Sequence, residues 1–110
     1  MTTPSTPPHT YGAMHVEQPV LMAAYEAFGQ ACTVSGPLDQ KTIALVKFAI
    51  SCGAALEGAA HSHARKARDA GASREELLHV AQLCAPTIGF PSMMRARGWV
   101  LDVIDRAEKT

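Results

Sequence analysis

Aromatic residues are scarce in this chain, with one Trp, two Tyr and three Phe among 110 residues. The apolar share is nonetheless 47%, and alanine supplies 19 residues, which favours closely packed helices over sheets. An excess of charge is missing too. Ten basic residues balance ten acidic ones, and they are interspersed, so the electrostatic footprint of a nucleic-acid binder is absent. No segment reaches the roughly 18 consecutive apolar residues of a membrane span, and no membrane partner is expected. The N-terminus shows no basic stretch followed by an apolar core, so a cytoplasmic location is expected. Cys32, Cys52 and Cys84 are odd in number and far apart, which argues against a disulfide framework. Each has an apolar neighbourhood and reads as a small buried hydrophobe, with a reactive thiol as the alternative.

What remains is a helical pattern. Residues 1–17 mix Pro with Thr, Ser and Gly and read as a flexible N-terminal arm, carrying His9 and His15, that could cross to a neighbouring subunit. Residues 18–110 read as a single helical domain. Pro19 suits a first helical turn, and Leu21, Ala24, Tyr25 and Phe28 follow helical spacing until Ser35-Gly36-Pro37 breaks the segment. Asp39 is a candidate N-cap for a helix to about Cys52, apolar nearly all round and hence expected to be central. Gly53 marks a break before a helix at about Ala54–Ala70, which Gly71 ends. Ser73-Arg74-Glu75-Glu76 matches a capping box. Its helix is expected to be interrupted at Pro86, with Gly89-Phe90-Pro91 before a last helix over about Ser92–Glu108. The fold class is all-α, a compact bundle of about five helices. A unit this small buries a limited share of its surface, so apolar area should be shared between subunits.

The segment Ala55-Leu56-Glu57-Gly58-Ala59-Ala60-His61-Ser62-His63 sets ionisable groups in a small, apolar helix, where they are costly unless paired or used. At about 100° per residue, Leu56, Ala59 and His63 share one face, and Glu57 and His61 share another. His61 and His63 differ by about 200° and cannot easily serve one site. His63 suits a general acid or base, since the ordinary imidazole pKa lies near neutrality, or else is a structural histidine. Glu57 and His61 suit an orienting pair, or two ligands of a divalent metal completed by His79, a symmetry mate or the arm. An inter-helix polar contact is the plainer alternative. Lys47 suits a carboxylate anchor if buried; otherwise it reaches the surface or pairs with Glu57.

The His-bearing helix followed by a Gly71-Ala72-Ser73-x-Glu75-Glu76 restart resembles the carboxymuconolactone decarboxylase and alkylhydroperoxidase-D superfamily. Leu38-Asp39-Gln40-Lys41-Thr42 is similar to that family's Leu-Asp-x-Lys-Thr. The resemblance covers about residues 18–105. It implies compact helical subunits assembling through helix interfaces into trimers or hexamers, the hexamer a trimer of dimers. Registered on His63 and Gly71, Leu56 and Ala59 stand where the peroxidase branch carries its Cys-x-x-Cys, and Ala44 stands at its usual Glu. A thiol peroxidase route then has no nucleophile. Cys52, about 16 Å from His63 along a continuous helix, is a poor substitute. The decarboxylase branch also lacks the cysteines and retains the histidine. Glu57-Gly58-Ala59-Ala60-His61-Ser62-His63 with Gly89-Phe90-Pro91 resembles family members with Glu-Gly-Ala-x-His-Ser-His followed by Gly-Phe-Pro.

Three functional expectations follow from these residues together. The first is acid/base or metal-assisted chemistry on a small organic acid, using His63, His61, Glu57 and Lys47. The second is a non-catalytic binding or assembly protein in which the same residues knit subunits together. The third is a thiol peroxidase relocated to Cys52 or Cys84.

Overall fold

The computed structural model describes residues 9–109, with side chains described over 11–105. Six helices are present among the described residues: α1 (His9–Glu17), α2 (Pro19–Val34), α3 (Gln40–Gly53), α4 (Glu57–Asp69), α5 (Arg74–Ile88) and α6 (Phe90–Lys109). The all-α expectation holds. Internal contacts divide the chain into residues 1–38 and 39–110.

In the first unit, residues 9–17 form helix α1; residues 1–8 of the expected arm lie outside the described residues. A polar clasp joins α1 to α2. His15 Nε2 lies 2.9 Å from the Glu26 carboxylate, and the Tyr11 hydroxyl donates to the same oxygen at 3.1 Å. The hydrogen bond to Glu26 holds the His15 imidazole above its ordinary range. This clasp replaces the apolar periodicity that α1 lacks, which is why composition alone suggested no helix.

The second unit is a four-helix bundle. The buried face of α3 is Ala44, Phe48 and Cys52, spaced by four. On α4 it is Ala60, Ala64 and Ala67, all with no exposed surface. Leu77, Ala81 and Cys84 face inward from α5, and Ala96, Trp99, Val100, Val103 and Ile104 from α6. Spacings of three and four place each set on one stripe. The all-alanine stripe of α4 lets its neighbours approach closely, and larger residues on α3, α5 and α6 fill the space around it.

Local signals set the helix ends. The Asp39 side chain accepts from the Thr42 backbone N–H at 2.8 Å. Ser73 and Glu76 close the expected capping box at 3.0 and 2.9 Å. Glu76 also receives Lys41 Nζ at 2.9 Å, tying α3 to the start of α5. Gly71, at φ +101°, ends α4: its N–H donates to the Arg68 carbonyl and that of Ala72 to the Ala67 carbonyl, the paired bonds of a Schellman motif.

The break before α4 differs from expectation. Gly53 stays in the last turn of α3, and Ala55 takes the left-handed position at φ +60°. The N–H groups of Ala55 and Leu56 donate to the Cys52 and Ser51 carbonyls, the same motif without its glycine. Pro86 does not interrupt α5, which runs on to Ile88. It lies in the last turn, where the Gly89 N–H reaches back to the Cys84 and Ala85 carbonyls. Gly89, at φ +109°, then turns the chain straight into α6, which starts two residues earlier than expected, with Pro91 in its first turn.

Ala55→Gly should stabilise the protein by up to about 1 kcal/mol, since a left-handed alanine costs roughly 1–2 kcal/mol and glycine's greater unfolded-state entropy returns part of that. Gly71→Ala should destabilise it by a similar amount. Urea denaturation of the two variants beside the parent measures both.

Candidate functional site

The two histidines of α4 look in different directions, as their angular separation requires, and meet different helices. His61 points to α6, with its Nε2 3.1 Å from Asp102 Oδ2 and its ring edge-on to Trp99 at 6.3 Å between centroids. His63 is half-buried, and its Nδ1 is closed off from solvent with no hydrogen-bond partner among the described residues. Burial first, then the ammonium charges of Lys66 and Lys47, lowers the His63 pKa below 6.5. An imidazole in such a place is neutral at pH 7 and has Nε2 left for a ligand.

The helices explain these positions. Lys66 is three residues beyond His63, on the same side of α4. Lys47 comes from α3, the helix joined to α4 by the Ala54–Leu56 turn, and its charge acts on the His63 ring. The charges of Lys66 and Lys47 thus act on His63 in the same direction as its burial.

The Glu57–His61 grouping is different. Glu57 is exposed in the first turn of α4, and the imidazole takes Asp102 from α6 as its carboxylate partner. Among the described residues no three His, Cys, Asp or Glu side chains gather as metal ligands. Within one chain, Glu57 and His61 therefore have no third ligand among the described residues. His79 is exposed on α5 and joins neither histidine.

Sequence reading also missed two features. Asp102 lies 41 residues from His61, and no local motif signals that pairing. A groove of about 330 Å³ runs between α3 and α5, lined by apolar side chains such as Leu45, Val46, Val80 and Leu83. It contains none of His61, His63, Glu57 or Lys47. Its only signal was the apolar character of α3 on every side: the helix is central on one face and lines this groove with the other.

With this geometry established, the chain matches the carboxymuconolactone decarboxylase family over residues 19–102. It belongs to that family. Neither a curated protein nor a solved structure matches it. In this family member, the positions registered on the peroxidase cysteines, Leu56 and Ala59, fall at the N-cap and in the first turn of α4. A helix start stabilises a thiolate, but the side chains here are hydrocarbon. The remaining core thiols do not compensate. Burial, with Cys84 nearby, pushes the Cys52 thiol up to about 12, and burial raises Cys84 as well. At pH 7 both thiols stay protonated.

The lowered His63 pKa has a definite consequence for stability. The unfolded imidazole binds a proton near 6.5 and the folded one only at lower pH, so stability rises with pH between those values. It is full above 6.5, declines as pH falls, and is lost once pH passes the folded value. Urea denaturation across about pH 4.5–7.5 should show the parent losing more stability on acidification than His63→Gln, which has no imidazole to protonate.

Proposed function

We propose that this protein is an acid/base enzyme of the carboxymuconolactone decarboxylase family, acting on a small organic acid and using no redox cysteine. The observation carrying this reading is the His63 ring: half-buried, with a shut-in and unpartnered Nδ1, and held neutral by burial and two ammonium groups. A buried polar atom without a partner costs about 1–3 kcal/mol. A neutral imidazole beside two cations is suited to a substrate that brings negative charge.

In this reading Lys47 and Lys66 hold the substrate carboxylate, and the bound anion lets His63 Nε2 take up a proton from solvent. The imidazolium so formed is stabilised by the bound anion, which offsets the two ammonium groups. The C–CO₂ bond then breaks, its electron pair passes into the unsaturated lactone, and His63 gives its proton to the carbon that receives the pair as CO₂ leaves. The reading leaves Glu57 outside the proton transfer within one chain.

A second reading has its own support. Tyr25 and Phe28 on α2, and Ile50 on α3, are each more than 60% exposed, which is unusual for large apolar side chains spaced along helix faces. We assign these faces to contacts between copies of the chain, in a trimer or hexamer, where Glu57 also finds its partner. Assembly and catalysis are compatible, and each can be tested separately.

Carboxymuconolactone and simpler γ-lactone carboxylates are the first substrates to try, followed by NMR for CO₂ loss and for hydrogen exchange in D₂O. His63→Gln should lower turnover about 10²–10⁴-fold, the usual contribution of a positioned acid/base group. Lys47→Gln should mainly raise KM. Full turnover in His63→Gln overturns the catalytic reading. For assembly, Phe28→Glu should shift the mass seen by light scattering towards the monomer, and a parent that is already monomeric sinks that reading.

A further inference from the structure

The His61 side of α4 carries a separate cluster that the chemistry at His63 does not use. On α6, Arg95, Gly98, Trp99 and Asp102 are spaced by three, one and three residues and so share one face. His61 lies against that face, with its Nε2 on Asp102 at 3.1 Å and its ring edge-on to Trp99. The Arg95 guanidinium lies over the Trp99 ring, 5.5 Å from its centroid. Arg95 has one long hydrogen bond, to the Ser92 hydroxyl at 3.5 Å, and no carboxylate partner among the described residues. A Cβ placed on Gly98 would meet nothing within 4 Å, so no close approach of another chain segment requires the glycine there. In mid-helix that residue costs about 1 kcal/mol relative to alanine. What it does is leave the surface between Arg95 and Asp102 open.

The bond to Asp102 has a chemical consequence. A carboxylate only accepts, so in the neutral ring Nε2 carries the hydrogen and Nδ1 presents a lone pair. The cluster therefore offers a guanidinium with no carboxylate partner among the described residues, a group that recognises carboxylates, and a hydrogen-bond acceptor of fixed tautomer. Both rest on the same indole. We propose that Arg95, His61 and Asp102 form a second binding site, on the open α4–α6 face over Trp99, for a small hydroxycarboxylate. Arg95 takes the ligand's carboxylate, His61 Nδ1 accepts from its hydroxyl, Asp102 orients the imidazole, and Gly98 provides the floor. The site does not depend on the reading of His63.

Trp99 is the only tryptophan of the chain and lies beneath Arg95, so its fluorescence reports on this site. The full chain is titrated with 3-hydroxybutyrate, with butyrate, and with sodium chloride at matched ionic strength. Saturable change is expected with 3-hydroxybutyrate, and butyrate should bind about fivefold more weakly, the contribution of one neutral hydrogen bond. Arg95→Gln should weaken both acids by about tenfold or more, as loss of a charge-assisted pair does. His61→Phe keeps a ring against Trp99 and should make the two acids equal. Gly98→Leu should block both, with the helix content unchanged by circular dichroism. His63→Gln should leave the titration as it is, which separates this site from the one proposed for turnover. A response no larger than that to chloride, equal binding of the two acids by the parent, or an Arg95→Gln variant that binds normally overturns the proposal.

Discussion

Close approach of helices around the alanine face of α4 is the constraint on which the rest of the 39–110 unit depends. Ala60, Ala64 and Ala67 have no exposed surface, and any larger side chain there would push α4 away from its neighbours. That spacing is what brings Lys47 of α3 within electrostatic reach of His63, and Asp102 of α6 within hydrogen-bond distance of His61. The polar chemistry of this molecule sits at the edges of a seam that is itself only methyl groups. Phe48, Leu77 and Val100, the large side chains buried completely, fill the space that the alanines leave.

A single helix thus serves two purposes on two sides. On one, a neutral imidazole faces cationic neighbours; on the other, an imidazole is tied to a carboxylate and edged by an indole. The same residue type is put to opposite electrostatic use because the surroundings differ, with ammonium groups beside His63 and an acid beside His61. Within the carboxymuconolactone decarboxylase family the peroxidase branch depends on sulfur at the start of this helix. Here hydrocarbon occupies those positions, and the two core thiols are held in their protonated form by burial.

Much of the bundle was legible in the sequence because its signals are local. Asp39 and Ser73 cap helices through bonds to residues three positions on, and Gly71 supplies the left-handed residue that ends α4. Those interactions close within a turn and leave a mark at fixed spacing. Where no distinctive residue marks the event, reading failed. The α3–α4 reversal uses Ala55 instead of the nearby Gly53. The α1 helix is held by His15, Tyr11 and Glu26 rather than by an apolar stripe. Pro86 sits near enough to a helix end to be tolerated.

The amino-acid order by itself determined the all-helical class, most of the helix ends, the absence of a paired-thiol motif, and the opposite facing of His61 and His63. All of these follow from backbone geometry and contacts a few residues apart. Tertiary structure alone decided that His61 meets Asp102, that the Lys47 charge acts on His63, and that α3 lines a groove. Those outcomes depend on how helices distant in sequence pack together, and nothing in the spacing along the chain encodes the distance between them.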